Sequence, residues 1–239
     1  MDLSVVIPVF NESECIAGLV DEVCRTLEGA LDYEVIVVDD GSVDGTAVVL
    51  QECCTGQPRL RVVTHLQRCG QSAALGSGVC AARAERIATL DGDGQNDPAD
   101  IMKLSRAMDS SAATVMLVTG HRLQRRDSGM KRFASRIANA VRSRLLHDNT
   151  PDTGCGIRVF ARDTWLGLPQ FDHMHRFLPA LVQRQGGETL SVVVNHRARQ
   201  GGVSKYGVLD RLWVGIVDLL GVWWLQRRCC RPVIAEPAP

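Results

Sequence analysis

The sequence predicts an α/β fold with a mostly parallel central sheet. Short runs rich in Val and Ile alternate with segments whose apolar residues recur at helical spacing. These runs lack the polar alternation of a half-exposed strand, so we expect helices to cover both faces of the sheet. Ligands of such sheets bind beyond the carboxyl ends of the strands. Polar clusters follow five of the predicted strands, which places a candidate site at that edge.

The alternation can be followed along the first half of the chain. The predicted strands cover residues 3–9, 34–38, 60–64, 87–90 and 115–119. The predicted helices between them cover residues 13–31, 46–53, 72–83 and 98–109. Later segments predict a basic helical region over 122–148, a strand or turn over 152–162, a helix over 171–186, a β run over 191–200 and a final apolar helix.

Composition limits the domain organisation and the partners. A chain of 239 residues with 45% hydrophobic side chains predicts one main domain, over 1–207. The 27 basic and 27 acidic residues cancel, which argues against a nucleic-acid partner. The nine cysteines follow no zinc spacing and no signal peptide precedes them, which favours reduced thiols in the cytosol. The Pro-rich tail over 229–239 is expected to be disordered.

The predicted last helix, over 208–228, is a separate segment. Its apolar stretch LWVGIVDLLGVWWL is shorter than the roughly 20 residues of a membrane-spanning helix, and it contains Asp218. Three tryptophans and a basic end suit an amphipathic helix that lies at a membrane interface. An ordinary core helix remains the alternative.

The stretch TLDGDGQNDP carries the strongest chemical signal. Asp91 and Asp93 stand two residues apart at the end of a predicted buried strand, and the glycines beside them permit a tight bend. Mg²⁺ or Mn²⁺ accepts such carboxylates and leaves other positions for substrate phosphates, and Gln95 offers one more oxygen. The alternative is a solvated turn ahead of the helix that Pro98 starts.

Two other clusters fall at the same edge of the predicted sheet. Asp39 and Asp40 end a buried strand, where either carboxylate could accept a hydrogen bond from a base or a ribose. The stretch RCGQSAALGSG brings small residues into a helix, but it matches neither a Walker A loop nor a dinucleotide fingerprint. Helix packing explains that stretch equally well.

Basic residues concentrate in the segments that flank this edge. Arginine forks suit phosphate oxygens. The phosphate-binding candidates are Arg122, Arg132, Arg136, Arg199 and Lys205. For most of Arg125, Arg126, Arg142 and Arg144, a solvated helix face is the expectation.

The motifs LSVVIPVFNE, EVIVVDDGSVDGT, QRCGQSAALGSG and TLDGDGQNDP, in this order, resemble the inverting family 2 glycosyltransferases with a GT-A fold. The pattern DxDxQxxP, together with the later TGHR, SRxxN, HRAR and GxSKYG, is similar to the polyprenyl-phosphate glycosyltransferases related to dolichol-phosphate mannose synthase. The resemblance covers roughly residues 3–225. It implies a Rossmann-like nucleotide-diphospho-sugar transferase domain.

The resemblance implies a role for each matching residue. Those expected at the nucleotide-sugar donor are Pro8, Asn11, Glu12, Asp39, Gly70, Gln71 and Asp91. Asp93 and Gln95 would hold the divalent metal on the diphosphate. Those expected at the acceptor phosphate or the donor diphosphate are Arg122, Ser135, Arg136, Arg199, Ser204 and Lys205. Asp91, Asp93 and Arg122 form the implied catalytic set, and the choice between Arg132 and Arg136 stays open.

The implied reaction moves a sugar from a UDP- or GDP-sugar to an undecaprenyl or dolichyl phosphate with inversion, assisted by Mg²⁺ or Mn²⁺. A phosphate monoester is already an anion, so it needs no strong base. One alternative is a saccharide or lipid A-type acceptor, which would require a carboxylate base such as Asp152. Another is a non-catalytic nucleotide-sugar-binding module.

The same resemblance raises the question of membrane attachment. Many relatives carry C-terminal transmembrane helices, and none follows LQRRCCRP in this sequence. We therefore expect a peripheral protein at the inner, cytoplasmic face of the cytoplasmic membrane. A homo-oligomer or a membrane-protein partner remains open.

Overall fold

The computed structural model describes residues 1–123, 141–197 and 208–228, and its strands form one seven-stranded sheet in the order β3-β2-β1-β4-β6-β5-β7. The strands are β1 (Leu3–Val9), β2 (Tyr33–Asp39), β3 (Leu60–Thr64), β4 (Arg86–Thr89), β5 (Val115–Arg122), β6 (Arg158–Ala161) and β7 (Glu188–Val194). All pairs are parallel except those that β6 makes with β4 and β5. The predicted mostly parallel sheet is confirmed.

Helices connect these strands. Those of the first half are α1 (Ile16–Leu27), α2 (Thr46–Gly56), α3 (Gln71–Ala81) and α4 (Ala99–Asp109). Residues 141–146 are helical (α5), and α6 (Arg162–Leu166), a 3-10 helix (Met174–Phe177), α7 (Leu178–Arg184) and α8 (Val208–Arg227) follow. Each helix predicted in the first half is present, with ends that agree or differ by at most four residues.

One strand is longer than expected, and one expected segment is resolved as a strand. Residues 120–122 belong to β5, which runs on to Arg122 because it pairs with β7 as far as Val194. The segment expected as a strand or a turn contains β6, inserted antiparallel between β4 and β5. This insertion brings the loop before β6 against the carboxyl end of β4.

The core follows the alternation of side chains in the central strand β1. Leu3, Val5 and Ile7 point to one face of the sheet, into a cluster with α1, whereas Val6 points to the other face, into a cluster with α3 and Trp165. Every residue of β1 is buried. A strand buried on both faces explains the unbroken apolar run in the sequence.

Helix α8 has one buried face and one exposed apolar face. Val222 is fully buried against the second cluster, so this face packs as a core helix does. The opposite face exposes apolar side chains, among them Val217, Leu220 and Trp224, each 53–54% exposed. None of the helices in the described residues has the length and hydropathy to span a membrane. The tail over 229–239 lies outside the described residues.

Candidate active site at the carboxyl edge of the sheet

The oxygen-rich loop after β4 occupies the edge where the parallel strands end. Within it, the Gln95 amide donates to Asp93 Oδ1 at 3.1 Å, and Gly94 has a φ of +69°. This tight turn follows from the glycine, because L side chains rarely adopt that φ. Asp91, Asp93 and Gln95 are all partly buried. The loop is therefore folded by its own backbone while its side-chain oxygens remain within reach of a ligand.

The carboxylate of Asp91 packs against Gly156, in the loop that leads into the antiparallel strand β6. A Cβ on Gly156 would lie 2.1–2.4 Å from the carboxylate of Asp91, closer than any real contact. Gln71, the first residue of α3, donates from Nε2 to Asp91 Oδ1 at 2.9 Å. The fold thus brings together two residues that the sequence analysis assigned to the donor, 20 positions apart.

The electrostatics of this loop favour a cation. Burial raises the pKa of Asp91, and the neighbouring charge of Asp93 raises it further. Arg158 and Arg122 act in the opposite direction without cancelling that shift. Two carboxylates held close together in this way gain from a divalent ion between them. Carboxylate and amide oxygens are ligands that suit Mg²⁺ or Mn²⁺, so the residues present fit such an ion.

The two consecutive acids that end β2 have different environments. Asp39 is 1% exposed and accepts the Ser42 amide on Oδ1 at 3.0 Å. Among the described residues, its Oδ2 accepts no hydrogen bond. Asp40 accepts the amides of Cys69 and Gly70 at 2.8 and 2.7 Å. Asp40 therefore holds the loop before α3, and Asp39 keeps an acceptor available.

The residues after β1 are tied to the loop after β2. Asn11, with φ +55°, accepts the Val43 amide on its side chain at 2.8 Å, and its own amide donates to Ser42. The Glu12 amide donates to the Thr46 hydroxyl at 3.0 Å. Pro8 lies beneath the loop after β4, since its carbonyl is 3.0 Å from the position a Cβ would take on Gly92. The predicted donor residues thus line adjoining loops of one edge.

Arg122 forms a buried ion pair at the end of β5. Its Nε and Nη2 donate to the two carboxylate oxygens of Asp152 at 2.7 and 2.9 Å, and both side chains are at most 10% exposed. Burial alone would lower the pKa of Arg122, but the hydrogen bonds and charge of Asp152 raise it. Such a two-pronged pair fixes the guanidinium plane. Asp152, the candidate base of the alternative reaction, orients Arg122 through this pair.

Two buried basic residues near this site were missed from the sequence. Arg158 of β6 is 3% exposed, donates to the Thr153 carbonyl at 2.8 Å, and interacts electrostatically with Asp91. His175 shares a 2.7 Å hydrogen bond with the Ser72 hydroxyl, next to Gln71. Burial lowers the pKa of His175 well below its usual range, and Arg158 adds to this effect. No local motif marks either residue, because Asp91 and Ser72, with which they interact at the site, are distant in sequence.

Arg142 corrects one expectation. It does not lie on a solvated helix face: it is 7% exposed and donates to the Thr150 carbonyl at 2.6 Å and to the Thr153 hydroxyl. Its ion pair with Asp148 spans 3.2 Å. Burial lowers the pKa of Arg142 and raises that of Asp148. This network fixes the loop that carries Asp152.

The strand end of β7 is anchored to the loop after β4. The Arg197 amide donates to the Gln95 carbonyl at 2.9 Å, and its guanidinium pairs with Glu22 and Asp97. The segment HRAR thus starts beside the candidate metal loop. The remaining predicted phosphate ligands lie outside the described residues: Arg132, Ser135, Arg136, Arg199, Ser204 and Lys205.

Comparison with known proteins gives one family. The sequence model of the family described as glycosyl transferase family 2 matches residues 4–165 of this chain. A dodecaprenyl-phosphate galacturonate synthase of Rhizobium johnstonii is 34% identical over 97% of this chain and 69% of its own length. An undecaprenyl-phosphate 4-deoxy-4-formamido-L-arabinose transferase of Edwardsiella ictaluri is 32% identical over 87% of this chain. The chain spans 63% of the length of that second relative.

Among solved structures, glucosyl-3-phosphoglycerate synthase from Mycobacterium tuberculosis has a similar fold. Its complex with Mg²⁺ and uridine diphosphate superposes with a TM-score of 0.69 at 19% identity, over 97% of this chain and 80% of the other. A second crystal of the same enzyme, with Mn²⁺, uridine diphosphate and glucosyl-3-phosphoglycerate, gives a TM-score of 0.67 at 20% identity. This likeness confirms the expected GT-A-like fold.

Proposed function

Since the chain belongs to glycosyl transferase family 2, we propose that it transfers a sugar from a UDP- or GDP-sugar to a polyprenyl phosphate. The observation that carries this proposal is the loop after β4, where Asp91, Asp93 and Gln95 present oxygens beside Gln71 of the candidate donor site. The names of two relatives with undecaprenyl- or dodecaprenyl-phosphate acceptors support the choice of acceptor.

In this proposal the donor occupies the edge formed by the loops after β1, β2 and β4. The free oxygen of Asp39 accepts a hydrogen bond from the base or the ribose. Gly70 has a φ of +94° at the start of α3, which exposes backbone for close approach by the nucleotide. Asp93 and Gln95 would hold Mg²⁺ or Mn²⁺, which would supply positive charge to stabilise the donor diphosphate.

The reaction requires an anionic nucleophile and a stabilised leaving group. An oxygen of the acceptor phosphate attacks the anomeric carbon from the face opposite the diphosphate. The bond from that carbon to the diphosphate oxygen breaks, the electron pair goes to the nucleoside diphosphate, and the configuration inverts. Arg122, oriented by Asp152, stabilises phosphate charge in this step. Because the nucleophile carries no proton to remove, no base is required.

The proposed acceptor is a lipid, so the protein must bind it at a membrane surface. The exposed face of α8 carries Val217, Leu220 and Trp224, and Arg228 lies 5.8 Å from the Trp224 ring. Apolar and aromatic side chains beside basic ones suit the boundary between headgroups and acyl chains. We infer that α8 rests on the inner leaflet of the cytoplasmic membrane and brings the site to the lipid phosphate.

The test is a transfer assay with the full chain. The protein is incubated with undecaprenyl phosphate in detergent, a panel of UDP- and GDP-sugars, and Mg²⁺ or Mn²⁺, and lipid-linked sugar is identified by mass spectrometry. One donor is expected to give a product, and a chelator is expected to abolish it. Failure of every donor to give lipid-linked sugar contradicts the proposal. Transfer to a saccharide instead indicates the alternative acceptor, and donor binding without transfer indicates a binding module.

A further inference from the structure

A second group of metal-ligating side chains lies on the same edge, separate from the loop after β4. Asp40, His65 and Cys69 offer a carboxylate oxygen, a ring nitrogen and a sulfur that all lie within 4.8 Å of one another. We propose that these three side chains form a binding site for a thiophilic divalent cation, with Zn²⁺ as the representative ion.

The fold positions each ligand through the backbone. Asp40 follows the last residue of β2, and its amide donates to the Val9 carbonyl at 2.9 Å. His65 follows β3, and its amide donates to the Asp39 carbonyl at 2.9 Å. The amide of Cys69 donates to Asp40 Oδ1 at 2.8 Å. Adjacent parallel strands and the loop that follows them therefore bring together residues separated by up to 29 positions in sequence.

The second ring nitrogen of His65 has a hydrogen-bond partner, as the second nitrogen of a metal-bound histidine usually does. Nδ1 lies 2.7 Å from Asp40 Oδ1, and Nε2 lies 2.8 Å from the Ser77 hydroxyl. In a neutral ring without metal, a proton on Nδ1 would be donated to Asp40, and the Ser77 hydroxyl would donate to Nε2. With metal on Nδ1, the proton sits on Nε2 and is donated to Ser77. This second hydrogen bond fixes the ring, as such partners do in metal sites.

The contact between His65 and Asp40 must open to admit an ion. Zinc bonds of about 2.0 Å to nitrogen and oxygen in a tetrahedron separate those two atoms by about 3.3 Å, so the 2.7 Å contact between His65 and Asp40 must widen by roughly 0.6 Å. Cys69 is exposed, so an ion from solvent can reach the site and water can complete the coordination. The Cys69 thiol releases its proton to solvent as the metal–sulfur bond forms.

The donor atoms separate this site chemically from the loop after β4. A sulfur and a nitrogen favour Zn²⁺ or Co²⁺, whereas a set of oxygens favours Mg²⁺. Asp40 is also engaged by two backbone amides, so the cation competes with hydrogen bonds that exist without it. The two sites should therefore take up different ions when both are offered together.

The test uses Co²⁺ as an optical probe of thiolate coordination in the full chain. Reduced protein is titrated with Co²⁺ in a large excess of Mg²⁺, and the sulfur-to-cobalt charge-transfer absorption in the near ultraviolet is recorded. Cys80→Ser is the matched control, because Cys80 is also exposed and belongs to α3. Wild type and Cys80→Ser are expected to show the band and to lose it on addition of Zn²⁺. Cys69→Ser is expected to show no band.

A second variant tests the nitrogen ligand. His65→Gln keeps the thiol, so the band is expected at saturation with an affinity for Co²⁺ lowered at least tenfold, while circular dichroism reports an intact fold. The proposal is overturned by absence of the band in wild type, by its persistence in Cys69→Ser, or by unchanged affinity in folded His65→Gln. None of these measurements depends on sugar transfer, so they stand apart from the proposed activity.

Discussion

Two clusters on one edge of the sheet use carboxylates in opposite ways. The closed cluster consists of Asp40, His65 and Cys69, and its carboxylate accepts two backbone amides and contacts a ring nitrogen. The open cluster consists of Asp91, Asp93 and Gln95. Among the described residues, its side-chain hydrogen bond from another element is the one that Gln71 donates to Asp91. Before any ion binds, Asp40 is engaged by the chain and contributes to folding stability, whereas the carboxylates of the open cluster are held for a ligand.

The comparison predicts that charge removal in the open cluster affects activity far more than stability. Asp93→Ala should lower turnover roughly 10³-fold, because charge on the leaving diphosphate loses its stabilisation. The free energy of unfolding should change by less than about 1 kcal/mol, since the lost contact is one turn hydrogen bond. Mn²⁺ binding by calorimetry and transfer assays measure both effects.

The matched control for this variant lies in the same loop. Asp97 pairs with Arg197 and accepts the Ala99 amide, so it serves the loop and the start of α4. Asp97→Asn should keep Mn²⁺ binding and most of the turnover. Near-normal turnover in Asp93→Ala would contradict the assignment of the open cluster to a metal.

In the closed cluster the same kind of change should mainly reduce stability. Asp40→Asn removes a negative charge that accepts the amides of Cys69 and Gly70, and hydrogen bonds to charged groups contribute about 1.5–3 kcal/mol each. We expect the free energy of unfolding in urea to fall by about 2–3 kcal/mol. Asp109→Asn is the control, because its pair with Arg86 is exposed and should contribute about 0–1 kcal/mol. Equal losses of unfolding free energy in the two variants would contradict the structural role assigned to Asp40.

The open cluster also depends on the glycine beneath it. Gly156→Ala would place a methyl group within 2.4 Å of the Asp91 carboxylate, so Asp91 must move. A displacement of about 1 Å can cost roughly 10²-fold in rate, and we expect a loss of this size in turnover. Gly18→Ala is the control, since no atom lies within 4 Å of a Cβ there and the site is in α1. Wild-type turnover in Gly156→Ala would show that catalysis does not depend on the position that Gly156 gives to Asp91.

These contacts mark where sequence reasoning ends. The short run of apolar and β-branched residues predicted both ends of β3 (Leu60–Thr64) correctly, because a buried strand imposes a local pattern on its own residues. The contact between Asp91 and Gly156 depends on the antiparallel insertion of β6 beside β4, and no local pattern specifies that pairing. Arg142 shows the same limit: its helical context predicted a solvated residue, but partners in the loop that follows bury it.

The smallest predicted effect concerns the histidine that supports the open cluster. His175 bonds to Ser72 beside Gln71, and burial holds its pKa well below that of an unfolded histidine. The unfolded state therefore binds more protons between that lowered pKa and about pH 6.5, so stability falls as the pH drops through this window. The loss should be at most about 1.4 kcal/mol per pH unit. Urea unfolding at several pH values should show a shallower decline in His175→Gln, whereas His147→Gln, at an exposed position, should follow wild type. A decline in His175→Gln as steep as in wild type would mean that other groups set the acid sensitivity.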